Sequence, residues 1–433
     1  MHQSDHPRTN AGPGPGRART SQGPGPGRAW ADALASAAAP LLAMTAVAAL
    51  GLWFARATTL PAGAFPAVLA ALVLMAVGVP VDLTGSAAFV AEAQGGITAL
   101  PLSVTLVGAL VTGAVFLHPL RLHAVVRPGE WAARAARTAL LWTGLLLLLR
   151  LSAQHSFTVP TGDPLLDELG GLFGAAPTVG FRAPVLPTIG FGLLWIVVVL
   201  ALALAASRRA PLPPRLLRYQ AAVRPAAHAV LTLLLVYVVI ALVAGLVSAT
   251  VDGHPRDTLA VILLALPNLA WIALGVGLGG VWHGHAGGSI GLPMPHPLAS
   301  VLQTSQARDV TLDLSSLAQQ DGRSWLLAVL AAVLLLLAGL GAALHSPADL
   351  RLWKYAAHLA VAMAVAMLLI GLLTRISASL GLSLLGLDST GGVFLRADLL
   401  ISVPLAALWG ALAGLLGALM ARPIRPRSIR PGR

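Results

Sequence analysis

Ten hydrophobic runs separated by short polar or arginine-bearing segments constrain this chain more than any motif in it. They are Ala33–Phe54, Ala64–Val81, Leu102–Leu117, Thr138–Leu151, Pro187–Ala206, Ala226–Val247, Leu259–Gly279, Trp325–Leu344, Tyr355–Leu373 and Leu399–Met420. Most approach the ~20 residues that carry an α-helix across ~30 Å of hydrocarbon. A helix in lipid satisfies its own backbone, so serial runs of this length predict an all-α polytopic transmembrane bundle. A weaker run, Ile376–Leu387, is half a span and brings the expected number to ten or eleven.

Composition agrees: 57% of the 433 residues are apolar and 10% are charged, against about 25% charged in a soluble domain. No polar module interrupts the runs, so one membrane domain, residues 30–421, is expected between two tails. Residues 1–29 repeat a Gly-Pro-Gly-Pro-Gly-Arg pattern without apolar periodicity and read as a disordered tail. Residues 422–433 form a basic tail expected in the cytoplasm. The chain has no cysteine, which excludes disulfides and thiolate metal sites. Its basic residues are arginine apart from Lys354, a bias that with abundant Ala, Gly and Pro points to a GC-rich bacterial genome and a bacterial cytoplasmic membrane. The arginines cluster between hydrophobic runs, the pattern of cytoplasmic loops and not of a nucleic-acid surface.

Those clusters are Arg121, Arg127, Arg134 and Arg137, then Arg208, Arg209, Arg215, Arg218 and Arg224, then Arg422 onward. They place loop 152–184 outside and loop 280–323 in the cytoplasm. Three runs precede the first cluster, which sets the four arginines of the N-terminal tail outside unless one early run is re-entrant. A weak internal repeat is also visible. Aliphatic-Pro pairs at Leu100-Pro101, Leu186-Pro187, Leu266-Pro267 and Val403-Pro404 are read as starts of inward-running helices. The stretches PLSVTLVGALVTGAVFLHPLR from Pro101 and PLAALWGALAGLLGALMARPIR from Pro404 resemble each other.

The first of those stretches, with VTLDLSSLAQQDGRSWLL from Val310, resembles the streptophobe family of very hydrophobic multi-span actinobacterial membrane proteins. The resemblance covers nearly the whole chain except the Gly-Pro tail. It implies a membrane location and carries no activity or catalytic residues to transfer.

Ionisable groups in or beside spans are the usual functional pointers, since each costs about 2.5–3.5 kcal/mol at a helix centre. Arg375, Asp388, Arg396 and Asp398 surround the half-span, where Asp388-Ser389-Thr390-Gly391-Gly392 offers a carboxylate, hydroxyls and a flexible backbone to an ion or polar head group. The competing reading is an interfacial loop. His358 titrates in the range of a proton carrier or sits as an interfacial histidine, and Asn268 bonds across helices or lines a polar path. These six are the candidate polar or ion-binding residues. His283-Gly284-His285 lacks a third ligand at metal-site spacing, so no metal and no cofactor is expected. Residues 309–320 are read as a packed connector or a membrane-surface segment. Gly410 and Gly414 are read as helix packing.

The sequence has no Gly-x-x-x-x-Gly-Lys-Ser/Thr loop, no His-Glu-x-x-His and no Rossmann fingerprint followed by a ribose acid, so catalysis has no residue-level support. Two functions from different classes stand: a transporter or permease-like protein for a small or lipidic solute, and a non-transporting scaffold or envelope-assembly subunit. Beyond the lipid bilayer the partner is open, a protein or a small solute.

Overall fold

The computed structural model describes residues 26–59, 63–87, 91–118, 128–158, 178–206, 217–251, 253–286, 310–346, 351–384 and 387–424. The two tails expected from the sequence therefore lie almost wholly outside the described residues. The first half runs α1 (Pro26–Phe54), α2 (Ala64–Ala76), β1 (Val81–Ala87), β2 (Ala91–Thr98), α3 (Leu102–Leu117), α4 (Pro128–Ser152), β3 (Gln154–Thr158), β4 (Thr178–Arg182) and α5 (Val185–Ala206). The second runs α6 (Leu217–Val251), α7 (Pro255–Gly277), β5 (Trp282–Ala286), β6 (Val310–Leu312), α8 (Leu314–Gln320), α9 (Leu326–Leu344), α10 (Leu352–Leu373), β7 (Ile376–Leu384), β8 (Leu387–Ala397) and α11 (Leu399–Ile424). Among the described residues eight helices are long and apolar enough to cross a membrane: α1, α4, α5, α6, α7, α9, α10 and α11. The helical bundle expected from the hydrophobic runs is what the chain forms, and each of the ten runs coincides with a helix.

Among the described residues the order of α-helices and strands is the same in both halves, with α8 the only addition to the second. The match extends to local geometry. Helices α2 and α7 end at Ala76 and Gly277, the chain then takes positive φ at Gly78 (+99°) and at Gly279 (+88°), and the strands begin at Val81 and Trp282, three pairs at one constant spacing. Both ends close with the same bonds. Gly78 N–H donates to Met75 O (2.9 Å) and Val79 N–H to Leu74 O (3.1 Å); Gly279 N–H donates to Val276 O (2.9 Å) and Gly280 N–H to Gly275 O (2.8 Å). This paired closure with glycine in the left-handed region is the Schellman ending, which satisfies carbonyls that a helix stop would orphan. Strand register repeats too, with Asp82 opposite Arg182 in the first half and His283 opposite Arg396 in the second. Phe181-Arg182-Ala183 and Leu395-Arg396-Ala397 precede the last helix of each half.

The internal repeat is therefore real, but it does not relate the stretches from Pro101 and Pro404. Those lie in α3 and α11, whereas the element order pairs α3 with α9 and α5 with α11. Nor does Leu266-Pro267 start a helix, since Pro267 is inside α7. Each half buries its own hydrophobic cluster. One runs from Ala37 to Leu200, and the other joins residues from Ala226 to Ala413 to Leu102, borrowed from α3.

The four hairpins merge into one antiparallel eight-stranded sheet in the order β3-β4-β1-β2-β7-β8-β5-β6. Sequence analysis missed this sheet. It corrects two expectations. Ile376–Leu387 is no half-span but β7 and the start of β8, paired from Ile376↔Leu395 to Leu384↔Leu387. Loops 152–184 and 280–323 contribute strands to the same sheet, so they lie at one end of the bundle and not at opposite ends.

This single-ended arrangement requires two helices to turn back. Thirteen-residue α2 is ~20 Å long, too short to cross. Gly63 before it lies near the His155 ring of β3, and Ala76 O at its end accepts from Thr105 Oγ1 (2.6 Å) in the first turn of α3. Helix α7 is longer, yet Gly277 packs on Leu327 at the start of α9, and Gly279 and Gly280 pack on Leu405 and Ser402 in the first two turns of α11. Its other end follows the 35-residue α6, which runs ~39 Å from Ala226, beside Ser346 and Tyr355 at the far end, to Val251 at the sheet end. Both α2 and α7 thus enter and leave at the sheet end.

Small residues set the helix contacts. A Cβ on Gly410 would meet Leu359 O at 2.7 Å, and one on Gly414 would meet Tyr355 O at 2.6 Å, so α10 and α11 touch backbone to backbone. Nothing lies within 4 Å of a Cβ on Gly144 in α4. Gly414→Ala should lower stability in detergent by about 1–3 kcal/mol through overpacking, visible as a reduced melting temperature, while Gly144→Ala should leave it unchanged or slightly raised.

Candidate functional site

The polar contacts of the bundle concentrate where the halves meet, at the N-terminus of α3 against the middle of α7. Pro101 cannot continue a helix ladder backwards, and the first turn of α3 begins with backbone groups that have no helical partner. Asn268, 5% exposed, satisfies two groups at this terminus. Its Oδ1 accepts from Leu102 N–H (3.1 Å) and its Nδ2 donates to Leu100 O (3.0 Å). Ser103 returns the favour to α7: its hydroxyl donates to Ile262 O (2.8 Å) and accepts from Leu266 N–H (3.1 Å). The hydroxyl thus inserts beside the ladder one residue before Pro267, which has no N–H to donate. Asn268 clamps the two halves together.

A second polar group sits at the boundary between sheet and helices. Asp398 precedes α11 and caps it, its Oδ1 accepting from Leu400 N–H (3.1 Å) and Ile401 N–H (3.3 Å), while its own N–H donates to Val281 O (2.8 Å). His283 Nε2 lies 3.5 Å from Asp398 Oδ2. Arg396 is opposite His283 in the β5–β8 register, and its guanidinium lies 5.5 Å from the Phe394 ring centroid, on which His285 also stacks at 5.6 Å. Arg375 comes one residue before the Ile376↔Leu395 pair and is exposed. Arg375, Arg396 and Asp398 are thereby brought to one level, together with His283.

The other candidates are elsewhere. Asp388 pairs with Ser383 beside the hairpin tip, eight positions along β8 from Arg396 and so ~27 Å away. His358 lies at the opposite end of α10 from Arg375, in a cleft lined by Ala226, Gly339, Ala342, Ser346, Tyr355, Leu359 and Gly414. That cleft has a cavity volume of only about 10 Å³, room for about one water and far below the roughly 300–1,000 Å³ of small-molecule sites. Among the described residues no group of three or more metal-ligating side chains gathers. Sequence reasoning overlooked Ser103, Thr105, Trp409, whose Nε1 donates to Leu278 O (3.0 Å), and the His283–Asp398 pairing. A lone hydroxyl or indole in an apolar run carries no signal of the helix it will meet.

Helix α8 resolves the 309–320 segment. Asp313 accepts from Ser316 N–H (2.7 Å) and Ser316 Oγ accepts from Asp313 N–H (3.0 Å), a reciprocal capping box. Leu314 and Leu317 pack against the second hydrophobic cluster, so the segment is a packed connector. Burial pushes the Asp313 carboxyl up, but the Ser316 and Ser315 hydrogen bonds outweigh it and hold the pKa below 3.8.

The fold defines a multi-pass integral membrane protein. The chain matches no protein-family model, no curated protein and no solved structure.

Asn268→Leu should destabilise strongly, since each of Leu102 N–H and Leu100 O left unpaired costs about 1–3 kcal/mol. Ser103→Ala should destabilise less, and the double variant should lose less than the two single losses added, as read from thermal unfolding in detergent. For Asp313 the folded pKa is depressed, so its contribution is present above pH 3.8 and lost as pH falls through the lower folded value. Asp313→Ala should cost about 0.5–2 kcal/mol at neutral pH and flatten the stability profile below pH 4.

Proposed function

We propose that this protein is a non-transporting scaffold or envelope-assembly subunit, multi-pass in a bacterial cytoplasmic membrane, with its sheet on the outer face. The observation that carries it is the eight-stranded sheet, assembled from four hairpins at one end of the bundle and, among the described residues, ending at β3 and β6. An unpaired strand edge presents a row of N–H and C=O groups that another strand completes. The orientation rests on charge. Arg134, Arg137, Arg224, Arg351 and Arg422 stand at the end away from the sheet, and the segments joining α3 to α4 and α5 to α6 add Arg121, Arg127, Arg208, Arg209 and Arg215. By the positive-inside rule that end is cytoplasmic. With α2 turning back, Arg28 at the start of α1 falls on the same side. The quoted stretches further support placing the chain with the streptophobe family.

The interior gives a transport path little support. Asn268 is engaged on both sides of its amide, Asp398 is spent on capping α11, and His358 and Arg375 occupy opposite ends of α10. A transporter or permease-like reading is favoured by one observation, the two turned-back helices in duplicated halves, since many transporters are built from repeats with interrupted helices. Osmotic swelling of proteoliposomes challenged with salts, polyols, sugars and amino acids separates the two. The scaffold reading expects rates equal to protein-free vesicles for every solute. Entry of any solute that His358→Leu or Asn268→Leu abolishes, in a variant that still purifies as a single species, would overturn it.

A further inference from the structure

The two halves are joined in the sheet by β2 and β7, antiparallel with Ile97 opposite Ala378 and Gly96 opposite Ser379. Under the internal repeat β2 corresponds to β6, because Ile97 and Leu312 hold the same place opposite Val81 and Trp282. Strand β7 corresponds to β3, because Ile376 and His155 hold the same place opposite Leu395 and Phe181. Among the described residues the strands at the two ends of the sheet, β6 and β3, are therefore the repeat equivalents of the two that pair at its centre.

An edge that the fold has already joined once to its complement specifies its occupant. We propose that a second copy of this chain docks here, its β3 pairing antiparallel with β6 of the first copy in the register of the β2–β7 junction. Thr311 then faces Thr158 and Leu312 faces Phe157, the equivalents of Gly96↔Ser379 and Ile97↔Ala378. The inference rests on the scaffold reading and names its partner.

The contact is heterologous, one edge meeting a different edge, so it leaves a free β3 and a free β6 at the ends and continues to further copies. Thr311 is exposed at β6, and Gln154 and Ser156 are exposed at β3. The membrane portion is consistent with it. At the centre of the chain α7 packs on α1, with Leu264 against Gly51. The equivalent partners between copies are α2 and α6, and α6 carries an exposed apolar face at Val239, Val243 and Val247. One feature of the central junction is not repeated. The position in α2 equivalent to Asn268 is Ala67, one residue after Pro66 as Asn268 follows Pro267. The contact between copies lacks that buried clamp and is accordingly weaker than the junction within the chain.

The absence of cysteine makes the register directly testable by thiol cross-linking. Single variants Thr158→Cys and Thr311→Cys are co-expressed and treated in native membranes with a short bis-maleimide. Covalent dimers are expected from the mixture, and dimers plus higher multiples from the double variant. Gln154→Cys mixed with Thr311→Cys, four residues out of register and so ~13 Å away, is expected to give less than a tenth of that yield. Gly96→Cys/Ser379→Cys, which links within one chain, reports that the sheet has formed. Absence of dimers while this control links overturns the proposal. So does linkage of the Thr158→Cys/Thr311→Cys variant within a single chain, which would mean that the sheet closes on itself. Either result leaves the scaffold reading to the swelling assay, and solute entry there leaves this contact standing.

Discussion

Two helices stop before they cross, and the rest of the structure depends on how their last backbone groups are satisfied. Inside a bundle no water pairs with a free carbonyl, and each orphan costs several kcal/mol. At Ala76 and Gly277 the chain solves this with glycines at positive φ and the same pair of closing hydrogen bonds, and Thr105 and Trp409 supply side-chain donors to the remaining carbonyls of Ala76 and Leu278. The closure also reverses the chain. Because α2 and α7 return to the end they came from, β1, β2, β5 and β6 emerge beside β3, β4, β7 and β8, and a single sheet becomes possible.

The helices were legible because a span is a local property: length and apolarity within one window suffice, and Leu102–Leu117 was read to the residue. The sheet was not, since its pairings join segments as far apart as Ala91 and Leu384, and strands such as Gly85-Ser86-Ala87 or Gly391-Gly392 have low β-propensity. A short apolar run such as Ile376–Leu384 has no periodicity that separates strand from buried helix. Placing loops 152–184 and 280–323 on opposite sides failed for a related reason. Counting runs presumes that each one crosses, and α7 has the length to cross without doing so. Of the candidate residues, the group around the start of α11 was foreseen in part, but its histidine partner comes from a hairpin more than a hundred residues earlier.

The duplicated architecture explains why polar residues do not converge. Each half buries its own apolar cluster, and the groups that link the halves, Asn268 and Ser103, spend their hydrogen bonds on helix ends. What the two halves build jointly is the sheet, and it is there that exposed and ionisable groups collect.

Side-specific labelling of single cysteines tests the one-ended sheet most directly, because the chain carries none of its own. Thr84, Ser156, Thr311 and Ser379 are exposed, one in each hairpin, while Glu130 and Arg351 are exposed at the starts of α4 and α10. In sealed membrane vesicles a membrane-impermeant maleimide should label cysteines at the four hairpin positions from one side and those at 130 and 351 only from the other. Labelling of Thr311→Cys from the side opposite to Thr84→Cys would mean that α7 crosses the membrane, and the account of a single sheet built by two turned-back helices would be wrong.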